Sequence, residues 1–137
     1  MKIEKNKTSK IKTKCWDLFS KIIRITYADW RGYEVCVTCG KTDKWEKMQA
    51  GHFVDGRNNT VLLDKKLVHP QCWNCNCNLS GNKIQYVMFM KRTYGLTDKE
   101  IEKLDQKKFE TKKISRKEWI IKYYELLDEY NEILSRQ

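Results

Sequence analysis

Two Cys-x-x-Cys pairs restrict this chain more than any other feature. Cys36-Val-Thr-Cys39 and Cys72-Trp-Asn-Cys75 stand with 32 residues between them. The two-residue spacing lets both thiolates of a knuckle point at one ion while backbone N–H groups soften their charge. Two such pairs in a short chain predict a tetrahedral structural Zn²⁺ held by Cys36, Cys39, Cys72 and Cys75. Gly40, directly after the first pair, suits the tight turn of a knuckle. The second pair runs into helix-compatible sequence, and a knuckle hairpin followed by a knuckle at a helix start is the treble-clef arrangement. The competing readings are buried free cysteines or a redox dithiol, and the latter requires exposed thiols of low pKa. Cys15 reads as a buried small hydrophobe. Cys77 competes with Cys75 as a ligand but breaks the two-residue spacing.

A chain of 137 residues makes one domain, or a small domain with a helical extension. A core of that size is often reinforced by a metal. With 40% hydrophobic and 12% aromatic residues, the chain is too apolar for disorder despite 34% charged residues. No apolar run approaches the roughly 18 residues of a membrane span. The charged N-terminus lacks the apolar stretch of a secretory signal, so a reducing cytoplasm is expected, where metal binding prevails over disulfides.

The net charge is +10, and it is unevenly placed. Residues 1–96 hold 18 basic and 8 acidic side chains, whereas 97–137 hold 10 of each. The excess therefore lies with the cysteines and both histidines. Such a field attracts polyanions, nucleic acid foremost, with a merely solvated lysine surface as the alternative. Residues 1–14, with six lysines and one glutamate, read as a flexible basic arm that either tracks phosphates or only solubilises. Lys12, Lys14, Arg57, Lys65, Lys66 and Lys83 are the expected nucleic-acid contacts.

Trp16, Phe19, Ile22, Ile23, Thr26 and Trp30 recur at helical spacing and predict a core-facing helix over 15–31, closed near Gly32. Short strands are expected near 34–37, 47–53 and 61–68, with Pro70 marking a turn into the second cysteine pair. A helix over 82–94 should stop at Gly95. Thr97 with Glu100, and Ser115 with Glu118, have the spacing of capping boxes that open two further helices. The second of these carries a long apolar face from Trp119 to Leu134.

Both histidines of the chain, His52 and His69, lie between the cysteine pairs, among a cluster of asparagines. A neutral imidazole can deprotonate water, and amide oxygens suit a hard divalent cation. With a basic surface to hold phosphate, the set suggests metal-assisted phosphodiester hydrolysis. For each histidine the alternative is a packed residue or one supporting the zinc ligands.

Ala50-Gly51-His52-Phe53, then His69-Pro70-Gln71-Cys72-Trp73-Asn74-Cys75-Asn76, then Ser80-Gly81-Asn82 resemble the NinG/Rap recombination proteins of lambdoid phages. These read approximately GH(F/Y), HxQCxxCN and SGN. The resemblance covers about 33–96 well and the remainder loosely, with Tyr86 and Tyr94-Gly95 in its downstream part. Their wider pattern belongs with the HNH, or His-Me finger, endonucleases on a treble-clef scaffold. The resemblance implies His52 as general base, and Asn76 as ligand of a catalytic divalent metal such as Mg²⁺. It also implies a catalytic or metal-shell role for His69, and leaves Asn82 without a defined one. It departs at Leu67, five residues before Cys72, where the central asparagine that orients the base usually stands. Asp55, Asn58 and Asn59 are the available substitutes. Gly51 stands where many HNH enzymes carry a metal-binding Asp.

The expected fold is thus α+β. Residues 15–96 would form a zinc-stapled ββα-metal, HNH-like core with an N-terminal helix, and 97–137 a helical extension behind the arm of 1–14. The expected activity is endonucleolytic cleavage of branched DNA, of Holliday-junction or D-loop type, during phage recombination in the bacterial cytoplasm. A homodimer would suit paired cuts. The alternatives are a non-specific or nicking nuclease and a catalytically silent zinc module that binds double-stranded or branched DNA.

Overall fold

The computed structural model describes residues 2–137. Mixed helix and two small antiparallel sheets give the expected α+β class. The chain divides into two compact units, one made of its two ends and the other of Ile23–Lys112. The boundary falls within the first helix.

The unit made of the chain ends contains most of α1 (Thr8–Thr26) and all of α4 (Arg116–Ser135). Ile11, Cys15, Phe19 and Ile22 recur on one face of α1 and are buried, as are Trp119 and Leu126 of α4. Cys15 donates to the Trp119 carbonyl at 3.5 Å, and burial pushes its thiol up to about 11. It is the inert small hydrophobe expected. Lys12 Nζ lies 5.8 Å from the Trp119 ring centroid and Lys21 Nζ 5.8 Å from that of Tyr130. The contacts thus advance in the same direction along both helices.

The flexible arm expected over 1–14 does not hold for its described part. Met1 lies outside the described residues, but Ile3 is buried, Ile3–Lys5 form a 3-10 turn, and α1 begins at Thr8. Arg116 donates to the Asn6 carbonyl at 2.7 Å, and Tyr124 Oη to Glu4 at 2.9 Å. The buried Ile3 and Ile11 seat this segment together with those bonds. The helix also ends early. It stops at Thr26 rather than near 31, and Trp30, assigned to its core stripe, is 92% exposed.

In the unit of Ile23–Lys112, β1 (Tyr33–Val35) pairs with β2 (Thr42–Lys44), and β3 (Gln49–His52) with β4 (Val68–Gln71). Of the strand expected over 61–68, only Val68 belongs to a strand, and 61–67 form an irregular loop. The backbone N–H groups of Val61 and Leu62 turn in on the Asn58 carbonyl, while their side chains are buried. Pro70 is no turn but a member of β4 opposite Ala50, where its missing N–H is tolerated and its carbonyl accepts from Val37 at 3.1 Å. α2 (Lys83–Tyr94) ends at Gly95 with φ +63°, as expected of a left-handed C-cap. Thr97 and Glu100 form the capping box that opens α3 (Asp98–Asp105), and Ser115 and Glu118 the one that opens α4. The core of this unit is Phe53, Val54, Val61, Leu67, Tyr86 and Met90.

Candidate metal centre and histidine site

The first cysteine pair occupies the tip between β1 and β2. Cys36 N–H donates to the Lys41 carbonyl at 2.7 Å, and Gly40 N–H to the Cys36 carbonyl at 2.9 Å. Gly40 takes φ +81°, the conformation that a glycine there permits. The second pair follows β4 directly and leads into a π-helical turn, Asn74–Asn78. All four sulfurs lie within 4.8 Å of one another, and Cys39 Sγ is 3.7 Å from Cys72 Sγ. Zn–S bonds of about 2.3 Å in a tetrahedron place sulfurs about 3.8 Å apart, so the set fits Zn²⁺.

Polar groups already aim at these sulfurs. Backbone N–H groups of Lys41 and Cys75 donate to Cys39 and Cys72 at 3.5 and 3.4 Å, and Asn82 Nδ2 donates to Cys75 at 3.5 Å. Burial resists ionisation of Cys36, yet hydrogen bonds from Thr38 and backbone groups outweigh it and hold the thiol at about 6. Burial pushes Cys39 up to about 12, with its crowded sulfur neighbours adding to the effect. Four thiolates at this spacing require a cation between them. Cys77 lies outside the set, exposed, its thiol 3.2 Å from Gln49 Oε1.

The register of β3 and β4 decides what each histidine can do. Gly51 pairs with His69 and His52 with Val68. Because side chains alternate across a strand, His69 and His52 project from opposite faces of this hairpin. His69 is fully buried, its ring 4.9 Å from that of Phe89. Its Nδ1 lies 2.9 Å from Tyr86 Oη and its Nε2 2.8 Å from Tyr94 Oη. Tyr86 spends its one proton on the Gly51 carbonyl, at 2.7 Å. Nδ1 of His69 must therefore donate to Tyr86 Oη, and Nε2 accept from Tyr94. Burial lowers the His69 pKa to about 4, which keeps the ring neutral for that chain of bonds. His69, expected to act on substrate or metal, instead ties β3 and β4 to α2.

His52 ends β3 and is partly buried. Its Nε2 lies 3.1 Å from the Leu62 carbonyl. A carbonyl only accepts, so Nε2 carries the proton and Nδ1 the lone pair. Burial lowers the His52 pKa to about 4, and the positive charge of Arg57 pushes the same way. The ring is thus neutral, oriented by backbone. Leu67, at the place of the usual orienting asparagine, is a core residue. Asn58 and Asn59 donate instead to the carbonyls of Lys107 and Lys112, both at 2.9 Å.

Asn76 is held at the other face of the hairpin strand by Gln49. Its Nδ2 donates to Gln49 Oε1 at 2.6 Å, and Gln49 lies on the face of β3 opposite His52. Among the described residues, the four cysteines are the one converging group of three or more His, Cys, Asp or Glu side chains.

The remaining motif residues explain themselves by contact. A Cβ on Gly51 would stand 1.8 Å from Gln71 Oε1, so glycine is required where an aspartate might have served a metal. Gln71 donates to Thr38 Oγ1 at 3.1 Å and to the Gly81 carbonyl at 2.8 Å, joining both knuckles. Ser80, Gly81 and Asn82 all take positive φ, a left-handed turn that delivers Asn82 to Cys75.

The expected DNA-contacting side chains are dispersed. Lys12 and Lys14 lie on α1, Arg57 in the loop after β3, and exposed Lys65 and Lys66 before β4. Lys66 Nζ lies 5.2 Å from the Tyr94 ring centroid. Lys83 is engaged by the Phe53 carbonyl and by Asp105 at 3.5 Å, so its charge is partly neutralised. Tyr86, Tyr94, Gln71 and Gln49 are the site residues that sequence reasoning left without a role. The two tyrosines stood in the family pattern, but nothing local tied them to His69.

The family model described as Bacteriophage Lambda NinG protein matches residues 1–133. No curated protein and no solved structure matches the chain.

Proposed function

Because the chain belongs to the bacteriophage lambda NinG family, we propose that it is a zinc-stapled endonuclease that hydrolyses phosphodiester bonds in branched DNA during phage recombination. The observation that carries this reading is His52, neutral at physiological pH and oriented by the Leu62 carbonyl. In this reading Nδ1 of His52 takes a proton from water, and the hydroxide oxygen bonds to phosphorus as the P–O bond to the leaving oxygen breaks. Arg57, whose charge already acts on His52, faces the phosphate. The backbone carbonyl of Leu62 does the orienting that the missing asparagine does elsewhere, which accommodates Leu67.

Several features support the scaffold assignment. A knuckle at a hairpin tip and a second at a helical turn have the treble-clef order, and β3, β4 and α2 have the order of an HNH ββα unit. The excess positive charge supports DNA as the partner. A divalent cation such as Mg²⁺ would supply positive charge at the phosphate oxygens. Asn76, whose Nδ2 is held by Gln49, would offer its Oδ1 to that cation.

The test uses an end-labelled four-way junction and a matched linear duplex, with Mg²⁺, with EDTA, and with His52→Ala. Cleavage that favours the junction and falls at least a hundredfold in His52→Ala is expected, since a general base contributes about 10²–10⁴-fold. Retained cleavage in His52→Ala would sink this role for His52, and equal cutting of both substrates would leave a non-specific or nicking nuclease. A second reading, a zinc module that binds DNA without cutting it, draws on Leu67, which packs in the core at the place of the usual orienting asparagine. Binding with no cleavage under any divalent cation would select it.

A further inference from the structure

Trp30 is presented to solvent by a turn built to hold it there. At 92% exposed, it is the most exposed large hydrophobic side chain among the described residues. Its loop is tightly bonded. Asp29 accepts from the backbone N–H groups of Arg31 and Tyr33 at 2.9 and 3.0 Å, and from the Arg31 guanidinium at 3.0 Å. Asp29 N–H donates to the Tyr33 carbonyl at 2.7 Å, and Gly32 N–H to the Asp29 carbonyl at 2.9 Å. Gly32 takes φ +84°, which closes the turn. The loop is ordered by polar bonds, yet its indole packs on no core.

The surroundings fit a particular occupant. The Arg31 guanidinium lies 6.0 Å from the Trp30 ring centroid and 5.3 Å from that of Tyr33. Both neighbours of Trp30 line an open cleft of about 810 Å³, which Tyr27, Tyr33, Phe89 and Arg92 also line. Tyr27 is 49% exposed. Of the two carboxylates on this cleft, Asp29 is committed to the turn and Glu34 is buried. Aromatic faces beside two arginines, with the exposed Asp29 carboxylate bound to the turn and to Arg31 and Glu34 buried, match a stacked base whose phosphate is met by Arg92.

We propose that Trp30, with Arg31 and the adjoining cleft, is a stacking site for an unpaired nucleobase of DNA, which would let the protein distinguish a branch point from continuous duplex. This inference rests on the reading of the chain as a DNA-binding protein and adds the side chain that recognises the unstacked base. Duplex DNA offers no free base face, so Trp30 contributes little there. Trp30 touches no phosphate, so it leaves the salt dependence of binding unchanged.

The test measures equilibrium binding of the full chain, zinc-loaded, to a flap oligonucleotide with 2-aminopurine in its unpaired arm and to a fully paired duplex. Wild type, Trp30→Ala and Trp30→Phe are compared, and thermal melts check that folding is unchanged. Trp30→Ala should bind the flap about tenfold more weakly, the size of one lost base–aromatic stack. It should lose the 2-aminopurine quenching, bind duplex within twofold of wild type, and keep its salt slope. Trp30→Phe should retain most of the flap affinity. Unchanged flap binding by Trp30→Ala, or an equal loss on flap and duplex, would overturn the inference while leaving DNA binding intact. Absence of binding by wild type to either DNA would overturn both the inference and the function on which it rests.

Discussion

The unit of Ile23–Lys112 and the unit of the chain ends are held together by different physics. The former adds to its apolar core a set of polar and metal-binding groups: four sulfurs, a buried histidine between two tyrosines, and a glutamine joining two knuckles. Its strands are only three or four residues long. Sheets that short do not stand alone, so the folding energy must come from elsewhere. The latter is two helices with an apolar seam of Ile11, Cys15, Phe19, Ile22, Trp119 and Leu126. A centre made of directional bonds fails when one atom is removed, whereas an apolar seam weakens in proportion to the area lost. The seam also bears on association. The apolar face of α4 that suggested a homodimer is in part covered by α1 of the same chain.

The largest expected effect is on the zinc centre. Cys36→Ser, Cys72→Ser or removal of the metal by a chelator should abolish the cooperative melt of the Ile23–Lys112 unit. A structural zinc contributes on the order of 10 kcal/mol in small domains. Hydrogen exchange should then show lost protection in β3, β4 and α2, with α4 less affected. A cooperative melt unchanged by chelation would show that the cysteines hold no structural metal.

Next in size, Trp119→Ala should destabilise the helix pair by about 3–5 kcal/mol, the cost of removing a buried indole. Exchange protection should fall in α1 and α4 while zinc stoichiometry stays at one per chain. Lost zinc in this variant would mean that the two units do not differ in the way described.

The smallest effect is the pH dependence. His69 has a folded pKa of about 4, below its ordinary value, because burial disfavours the imidazolium. The folded state thus resists a proton that the unfolded state accepts. Stability is full above about pH 6.5 and falls as pH drops from there toward 4. The shift amounts to at most about 3 kcal/mol. Denaturation at pH 7, 5.5 and 4.5 should give a shallower decline for His69→Gln than for wild type. The comparison between the two cancels the acid sensitivity of the zinc ligands. Parallel declines would place His69 in a solvated setting rather than between two tyrosines.

What the sequence determined was local. The two Cys-x-x-Cys turns, both capping boxes and the Gly95 stop each depend on residues two to four apart, and all appear as read. What failed depended on distant partners. The segment 1–14 was assigned by its lysines, but Arg116 and Tyr124, more than a hundred residues away, hold its backbone and Glu4. Residues 61–67 have strand-like composition, yet fill the core from a loop because the hairpin partner of β3 is Val68–Gln71.

The histidines show the division most clearly. Sequence placed both between the zinc pairs and made both candidates for chemistry. Only the register of β3 against β4, together with Tyr86 and Tyr94 arriving from α2, separated them. His69 is saturated on both ring nitrogens, and His52 is anchored by a carbonyl ten residues away. Likewise, Gly51 is legible as a glycine but not as a necessity until Gln71 is seen lying against it. Residue type and spacing encode what a side chain can bind. Which partner reaches it first is decided by packing, because the competing groups are brought within bonding distance only when the chain has folded.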